Sequence, residues 1–405
     1  MNSLISRPQY VDVLSRFRAK KLIKVVTGIR RCGKSTLFDL YIDQLKKQGV
    51  EDRQIIRLNL EYPEYYEIQN YKQLYSFIKK RLQKDAMNYI FIDEVQTVSE
   101  FQKAVDGLYV QKNCDVYITG SNANILSGDL ATLLSGRYIE IKMLPLSFKE
   151  YVSAFEDLTD LIRKYQSYLE NSSFPYALQL VAKENIHSYL GSIFDSVILK
   201  DIVARKQISD IVTLQSITRF AFDNIGNLTS ATSIANTLIS NGRKISVHTV
   251  ENYLEALTES FVLYKTQRYD VKGKQQLANR AKYYLADIGL RYYLLGSKKA
   301  DAGHILENIV YLELLRRNYE VHVGKVGNAE VDFIVIGENG EEYYQVAYTA
   351  IGETGREGKT VLERELASLN AIHDHNPKFL LTMDFVPSAS HNGIKQINVL
   401  DWLLH

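Results

Sequence analysis

GIRRCGKS, residues 28–35, lies between an apolar strand-like run, residues 22–27, and a stretch with helical apolar spacing, residues 34–47. The segment fits the pattern G-x-x-x-x-G-K-[ST], in which glycines let a loop curl so that backbone N–H groups converge on phosphates. The helix that begins in the loop directs the positive end of its dipole at them. A chance glycine-rich turn would lack this placement between strand and helix. The sequence therefore predicts a phosphate-binding loop here.

The loop supplies the candidate ligands of a nucleotide. They are Gly28, Ile29, Arg30, Arg31, Cys32, Gly33, Lys34, Ser35 and Thr36. Lys34 is placed to bridge the β and γ phosphates. Ser35 is expected to ligate Mg²⁺ through its hydroxyl, because magnesium prefers hard oxygen ligands and takes few of them from protein. The predicted cofactors are ATP and Mg²⁺.

Around the loop, the first 150 residues alternate apolar runs with amphipathic stretches, which is typical of an α/β fold with a parallel sheet covered by helices. The five predicted strands are residues 22–27, 54–60, 89–93, 115–120 and 138–143. The full length of 405 residues predicts two to four folded units. This sheet is the first of them.

The third predicted strand ends in two adjacent carboxylates, Asp93 and Glu94. Ligands of open α/β sheets bind at the carboxyl ends of the strands. Asp93 can therefore complete the magnesium shell, and Glu94 can activate the attacking water. The alternative for Glu94 is a solvated acid at the start of a helix.

Two further polar features flank the next strands. The fourth strand ends in Ser121 and Asn122, which would lie beside Glu94 if this strand neighbours the third. Asn122 could then hold the attacking water or sense the γ phosphate, although Ser and Asn also favour a helix N-cap. Arg137 precedes the fifth strand, from which it could reach a neighbouring subunit's nucleotide. The alternative for Arg137 is a charge at a helix C-terminus. If Arg137 instead reaches another subunit, the protein is a homo-oligomer, and this possibility stays open.

The pattern divides the chain into four predicted domains. Residues 1–147 form the core, 148–205 a helical lid, 206–300 a winged-helix domain and 301–405 a separate α/β domain. The winged-helix prediction rests on three helices at 214–224, 230–239 and 246–257, followed by a hairpin. The last domain begins with a helix at 304–318 and three strands at 320–325, 329–336 and 342–347.

Charge is balanced over the chain and concentrated locally. The chain has 49 Lys and Arg against 47 Asp and Glu, so no global excess indicates a nucleic-acid or membrane partner. Residues 206–300, however, hold 13 basic and 7 acidic residues. The candidate DNA contacts in the hairpin are Lys265, Arg268, Lys272 and Lys274, with Arg280 and Lys282 on its second strand. Because winged helices also bind proteins, double-stranded DNA and a protein partner both stay open.

Composition also bears on the compartment. No run approaches 18 apolar residues, and the first 21 residues have no apolar core of a signal peptide. Two cysteines, Cys32 and Cys114, cannot make a disulfide framework. The sequence predicts a reduced, cytoplasmic protein with no membrane partner.

The order of phosphate loop, acidic strand, polar strand and arginine resembles an AAA+ type P-loop ATPase. More narrowly, GIRRCGKST, FIDEVQ, TGSNA, LSGRY and LPLSFKEY resemble a bacterial and archaeal family of ATP-binding proteins that carries a C-terminal domain of unknown function. This resemblance spans nearly the whole chain. It implies ATP binding at Gly28, Gly33, Lys34, Ser35 and Thr36, with Asp93 and Glu94 as the hydrolytic pair.

The last domain resembles the restriction-endonuclease-like fold, in which a helix Glu, a strand Asp and a Glu-x-Lys strand gather magnesium and water. Mapping this pattern gives Glu307 and Asp332, then Gln345 and Ala347 where the Glu and Lys would stand. Glutamine keeps an oxygen ligand without charge, and alanine keeps neither function. Lys359 is a candidate substitute. A degenerate domain used for binding is favoured over an active nuclease.

The leading hypothesis is an ATP-hydrolysing molecular switch of AAA+ type that couples nucleotide state to binding of DNA or a protein. One alternative is an ATP-regulated nuclease acting on DNA. The other is a non-hydrolysing signalling or toxin-control protein in which the nucleotide only sets the conformation.

Overall fold

The structure is a computed structural model that falls into two compact units. It describes residues 4–126, 134–157, 159–271, 273–296, 301–338, 340–352, 360–385 and 389–405. The first unit comprises Met1–Pro145, Phe174–Gln179 and Glu259–Phe261. The second comprises Leu146–Ser173, Leu180–Thr258 and Val262–His405.

A five-stranded parallel sheet forms the centre of the first unit, as the sequence predicts. Its strands are β1 (Ile23–Thr27), β2 (Ile55–Asn59), β3 (Asn88–Asp93), β4 (Cys114–Gly120) and β5 (Tyr138–Lys142), in the order β2-β3-β4-β1-β5. Every residue of β1 and β3 is buried, because each lies between two other strands and under helices. All five predicted strands are confirmed to within one residue at each end.

Helices cover this sheet. They are α1 (Pro8–Arg16), α2 (Lys34–Lys47), α3 (Tyr71–Lys79) and α4 (Phe101–Val110), with 3-10 turns at Asp52–Gln54, Pro63–Tyr65, Val95–Thr97, Ala123–Leu126 and Pro175–Gln179. An aromatic layer seats α2 on the strands: Phe38 lies edge-on to Phe91 at 5.1 Å between ring centroids, and Phe91 stacks on Tyr117 at 4.6 Å. This packing holds the first turns of α2 above β3 and β4.

The second unit contains helices throughout its length. They are α5 (Phe148–Val152), α6 (Leu161–Asn171), α7 (Lys183–Ile193), a π-helical stretch (Phe194–Asp201), α8 (Ile202–Lys206), α9 (Ile211–Asp223), α10 (Ala231–Ser240), α11 (Val247–Glu259), α12 (Ile288–Leu295), α13 (Ala302–Arg316), α14 (Val361–Asn370) and α15 (Val399–Leu404). The segment expected as a lid belongs almost wholly to this unit. The three helices expected in a winged-helix domain are α9, α10 and α11.

An eight-stranded mixed sheet completes the second unit. Its strands are β6 (Leu263–Asp270), β7 (Gln275–Leu285), β8 (Glu320–Val326), β9 (Ala329–Gly337), β10 (Gly340–Ala347), β11 (Lys378–Thr382), β12 (Ala389–His391) and β13 (Ile394–Asn398), in the order β12-β13-β11-β10-β9-β8-β6-β7. The predicted hairpin is β6 and β7, and β6 also pairs in parallel with β8. One sheet therefore crosses the domain boundary expected at residue 300.

Within the part of the chain that the structure describes, no helix is both long and apolar enough to cross a bilayer.

Candidate active site

The phosphate loop is held in a shape that needs glycine. Gly28 has a φ of +152° and Gly33 a φ of +104°, both outside the usual range of L residues. A Cβ placed on Gly28 would lie 2.1 Å from the carbonyl oxygen of Met143. The loop is therefore packed directly against the chain leaving β5, and α2 begins at the next residue after Gly33.

The remaining loop residues divide by exposure. Ile29 and Cys32 are fully buried, and burial raises the pKa of the Cys32 thiol. Arg30 pairs with Glu61 at 2.5 Å, and Arg31 is exposed with a φ of +70°. The predicted ligands that remain at least partly accessible are Arg30, Arg31, Gly33, Ser35 and Thr36.

Lys34 joins the loop to the acidic strand. Its side chain is nearly buried, and Nζ donates hydrogen bonds to the carbonyl oxygens of Gly28 at 3.0 Å and Ile29 at 3.4 Å. The same Nζ lies 3.6 Å from Oε1 of Glu94. The predicted phosphate-binding lysine and the predicted base are thus immediate neighbours.

Asp93 and Glu94 share one support, Thr119 at the end of β4. Thr119 Oγ1 donates to Oδ1 of Asp93 at 2.5 Å and accepts from the backbone N–H of Glu94 at 3.0 Å. Thr119 does not follow from the sequence as a site residue. Its signal is a hydroxyl near the end of a buried strand, and its role depends on the pairing of β3 with β4.

Glu94 is held in one orientation. Its φ is +50°, and Oε2 accepts hydrogen bonds from Gln96 Nε2 at 2.6 Å and Ser121 Oγ at 3.0 Å. Burial alone would raise the pKa of Glu94, but Lys34 and these two donors outweigh it, with help from Arg30, and the pKa lies below its usual value. Glu94 is therefore ionised at neutral pH, and Gln96 is a further residue that the sequence does not single out.

The two other predicted catalytic residues, Asn122 and Arg137, lie at different distances from this site. Ser121 donates a hydrogen bond to Glu94, and the Asn122 carbonyl accepts from the N–H of Ile125 at 3.2 Å. Asn122 directly follows Ser121, which places it near the site as expected from the pairing of β3 with β4.

Arg137 lies at the opposite edge of the sheet. The next residue, Tyr138, aligns with Ile23 at the start of β1, and five residues of strand span roughly 16 Å. The NH1 group of Arg137 lies 2.6 Å from Oδ1 of Asp106. The helix end expected before it falls in residues 127–133, outside the described residues. Arg137 is thus not brought to this site, and its action in trans stays a prediction.

Arg7 is another residue near the loop that the sequence does not indicate. Its guanidinium is 3% exposed and donates to the carbonyl oxygens of Leu144 at 2.8 Å and Cys32 at 3.3 Å. Arg7 therefore ties the start of α1 to both the phosphate loop and the chain after β5.

The donors at the predicted magnesium site fit a hard cation. Asp93 is fully buried, and its Oδ2 has no hydrogen-bond partner among the described residues. Oδ2 does lie 2.9 Å from NH2 of Arg57, which also donates to the carbonyl oxygen of Ser35 at 3.2 Å. Over the described ranges, no group of three or more His, Cys, Asp or Glu forms a metal cage. A hydroxyl and one carboxylate suit magnesium, which usually takes its other ligands from phosphate and water.

A second buried cluster lies in the second unit. Glu307 Oε1 accepts from Lys282 Nζ at 2.8 Å and from Tyr284 OH at 2.7 Å. Lys282 also lies 2.8 Å from Oε1 of Glu330 and 3.7 Å from Oδ1 of Asp332. The structure therefore brings Glu307 and Asp332 together, but with a lysine ammonium between them.

Gln345 and two lysines complete the comparison with the nuclease pattern. Oε1 of Gln345 accepts from the backbone N–H of Asp332 at 3.3 Å, so the three mapped residues are neighbours. Lys359 lies outside the described residues. Lys282, expected along a phosphate backbone, is only 4% exposed at its side chain, and that expectation is wrong because its ammonium is enclosed by carboxylates.

Burial and charge set the protonation of this cluster. Burial raises the pKa of Asp332 to about 7, and the negative charge of Glu307 adds to this rise while Lys282 opposes it. For Lys282, burial would lower the pKa, but Glu307 and Asp332 outweigh it and the pKa is raised. For Glu307, burial would raise the pKa, but the positive charge of Lys282 outweighs burial and the pKa is lowered. Asp332 is the carboxyl that takes up a proton near neutral pH.

We expect Asp332→Asn to weaken the pH dependence of stability. Between about pH 4 and pH 7 the folded chain holds a proton on Asp332 that the unfolded chain has released, so this contribution is lost as pH rises through 7. The slope is about 1.4 kcal/mol per pH unit for one proton. His304, whose pKa its contact with Glu307 raises, adds a loss of the same sign that the variant retains.

Urea unfolding at pH 5.5 and pH 8, followed by fluorescence of the single tryptophan, Trp402, measures this effect in the second unit. The fall in unfolding free energy between the two pH values should be smaller in the variant than in the wild type. Asp195→Asn, at an exposed position of the same unit, is the control and should keep the wild-type fall. An equal fall in Asp332→Asn and the wild type would contradict the assignment.

The candidate DNA contacts are placed on the hairpin with mixed accessibility. Lys265 and Lys274 are exposed and Arg268 is half-buried, while Lys272 lies outside the described residues. Lys265 lines an open cleft of about 580 Å³. The charged side chains of that cleft are Glu251, Glu255, Lys265 and Arg280. Acidic groups of α11 therefore offset part of the hairpin's positive charge.

Comparison with known proteins bears on both units. Residues 20–152 match the family model of an AAA domain, and residues 162–301 match that of a domain of unknown function. An uncharacterized protein of Haemophilus influenzae is 40% identical over 407 residues, covering 99% of each chain. An uncharacterized protein of Methanocaldococcus jannaschii is 30% identical over 355 residues, covering 83% of this chain and 76% of that protein.

Solved structures show a more distant likeness. A Walker-type ATPase of Pyrococcus abyssi is 15% identical with a TM-score of 0.48, and the match covers 72% of this chain and 96% of that one. The family model confirms the predicted AAA-type P-loop ATPase domain. The winged-helix and restriction-endonuclease-like interpretations stay predictions.

Proposed function

The chain belongs to the same family as the Haemophilus influenzae and Methanocaldococcus jannaschii proteins and carries an AAA domain, and we propose that it is a magnesium-dependent ATPase acting as a molecular switch. The observation that carries the proposal is the 3.6 Å approach of Lys34 to Glu94. A phosphate-binding lysine beside an ionised, fixed carboxylate is the arrangement that hydrolysis of a phosphoanhydride needs.

Each residue has a part in the proposed reaction. Lys34 binds the phosphates, and Ser35 and Asp93 hold the magnesium, which when bound neutralises charge on the phosphate oxygens. Glu94 accepts a proton from the attacking water, whose oxygen bonds to the γ phosphorus. The bond between the γ phosphorus and the β–γ bridging oxygen breaks, giving ADP and phosphate. Ser121 and Gln96 keep Glu94 oriented toward the water.

Phosphate release by the purified full chain tests the proposal. With ATP and Mg²⁺, steady-state release should exceed that in EDTA. Binding of ATP without release would instead favour the non-hydrolysing signalling or toxin-control alternative. Absence of both binding and release would contradict the proposal as a whole.

Coupling to DNA or a protein is the finer part of the proposal. It is supported by the exposed Lys265 and Lys274 of the hairpin and by the local excess of basic residues. The ATPase rate measured against single-stranded, duplex and branched DNA tests it. If none of these DNAs changes the ATPase rate, the result would favour a protein as the partner.

The nuclease alternative has less support. Glu307 and Asp332 are adjacent, but Lys282 already neutralises part of their charge, and Ala347 offers no side-chain donor. Incubation with duplex or branched DNA, ATP and Mg²⁺ or Mn²⁺ decides the matter. Absence of cleavage would retire this alternative.

A further inference from the structure

Arg57, in the middle of β2, contacts both residues assigned to magnesium. Its NH2 group lies 2.9 Å from Oδ2 of Asp93 and donates to the carbonyl oxygen of Ser35 at 3.2 Å. Its Nε group lies 3.3 Å from Oδ1 of Asp39, one turn further along α2. One guanidinium therefore connects β3 with the first turns of α2.

The contact compensates a charge that is otherwise costly. Asp93 has no exposed surface, and Thr119 satisfies only its Oδ1. A buried carboxylate without a countercharge is strongly destabilising. Among the described residues, Arg57 is the basic side chain that lies within 4 Å of the Asp93 carboxylate. Without magnesium, its guanidinium therefore supplies the countercharge.

The geometry of the Arg57–Asp93 ion pair is weaker than the strongest arrangement of these two groups. Oδ2 of Asp93 and NH1 of Arg57 both lack a hydrogen-bond partner among the described residues, so the pair at 2.9 Å is not the bidentate fork that arginine and carboxylate form at their strongest. The Arg57 side chain is 25% exposed, so water can solvate it after release.

We propose that Arg57 is a positioning residue that holds Asp93 when magnesium is absent and competes with magnesium for its Oδ2 atom. The inference rests on the proposed function, since it assigns the metal to Asp93. Two cations cannot both take the same oxygen at full strength, so magnesium binding loosens Arg57 from β3 and from Ser35. Metal occupancy is thereby linked to the contact between β2 and α2.

Magnesium titration of nucleotide binding separates competition from simple support. The fluorescence of a non-hydrolysable, labelled ATP analogue is followed on the full chain as Mg²⁺ is raised from an EDTA baseline. Arg57→Met keeps an unbranched apolar stem beside Phe38 but removes the charge. We expect its half-saturating Mg²⁺ concentration to fall about fivefold, the size of a modest ion pair. A supporting role would raise that concentration.

Two further variants and a second measurement complete the test. Arg57→Lys keeps the charge and should restore most of the wild-type Mg²⁺ requirement. Arg53→Met, at a 69% exposed arginine paired with Glu51, should leave it unchanged. Thermal melting adds a readout independent of nucleotide: Arg57→Met should melt below the wild type in EDTA and regain part of the difference with Mg²⁺.

The outcomes distinguish the two proposals. A wild-type chain that binds no analogue at any Mg²⁺ concentration would contradict the proposed function, and with it the inference. Wild-type binding combined with an unchanged or higher half-saturating Mg²⁺ in Arg57→Met would overturn the competition alone and leave the ATPase proposal standing.

Discussion

Replacing Glu94 with glutamine should abolish ATP turnover while leaving ATP bound. Loss of a general base costs about 10²–10⁴ in rate. Glutamine keeps a carbonyl oxygen that can still accept from Gln96 Nε2 and Ser121 Oγ, so the turn with its φ of +50° should persist. The missing negative charge also removes the partner of Lys34, which leaves that ammonium free for phosphate.

Two assays on the same preparation check this prediction. Phosphate release should fall at least about a hundredfold, and the affinity for a labelled ATP analogue should stay equal to or exceed that of the wild type. Glu100→Gln is a matched control, because Glu100 also has a left-handed backbone but an exposed side chain paired with Lys103. Hydrolysis by Glu94→Gln at the wild-type rate would show that another group activates the water.

The pH profile offers a second view of the same residue. The pKa of Glu94 lies below its usual value, since Lys34, Gln96 and Ser121 outweigh the effect of burial. The acidic limb of the wild-type rate profile should therefore lie below the ordinary range of a glutamate, and any residual rate of Glu94→Gln should lack this limb.

The first sheet and the phosphate loop could be predicted from the sequence because their signals are local. An apolar run, two glycines and a helix opened by Lys34 and Ser35 identify the loop without any tertiary information. β1 and β3 are buried along their whole length and read as largely apolar runs, and the predicted bounds of all five strands lie within one residue of those observed.

Residues that act through pairing across strands could not be predicted in this way. Thr119 and Arg57 reach Asp93 only because β4 and β2 flank β3. A threonine or an arginine within a strand has no distinctive spacing of its own. Lys282 is the clearest case, since its charge suggested a surface contact, whereas the approach of α13 to β7 encloses it beside Glu307.

The second sheet shows the same limit at a larger scale. The hairpin of β6 and β7 is a local feature that the sequence predicts, but the parallel pairing of β6 with β8 joins residues more than 50 apart. The sequence does not predict β11 to β13. They are three to five residues long and lie among short loops, so no sustained periodicity marks them.

Replacing Lys34 with alanine should abolish nucleotide binding. Nζ is the one cation that lies within 4 Å of both the loop carbonyls and Glu94 in the described part of the site. Its loss removes the charge-assisted contact to the phosphates and leaves Glu94 as a negative charge that faces them without its neighbouring ammonium. Repulsion thus adds to lost attraction, and we expect at least about a hundredfold weaker binding.

Equilibrium binding of a labelled ATP analogue measures the effect, with thermal melting to show that the chain stays folded. Lys46→Ala is the matched control: this lysine lies at the other end of α2, exposed and paired with Asp52, and its loss should leave binding unchanged. The double variant Lys34→Ala with Glu94→Gln separates the two causes. If repulsion by Glu94 contributes, the double variant should bind the analogue more tightly than Lys34→Ala, whereas equal affinities would assign the whole loss to the missing ammonium.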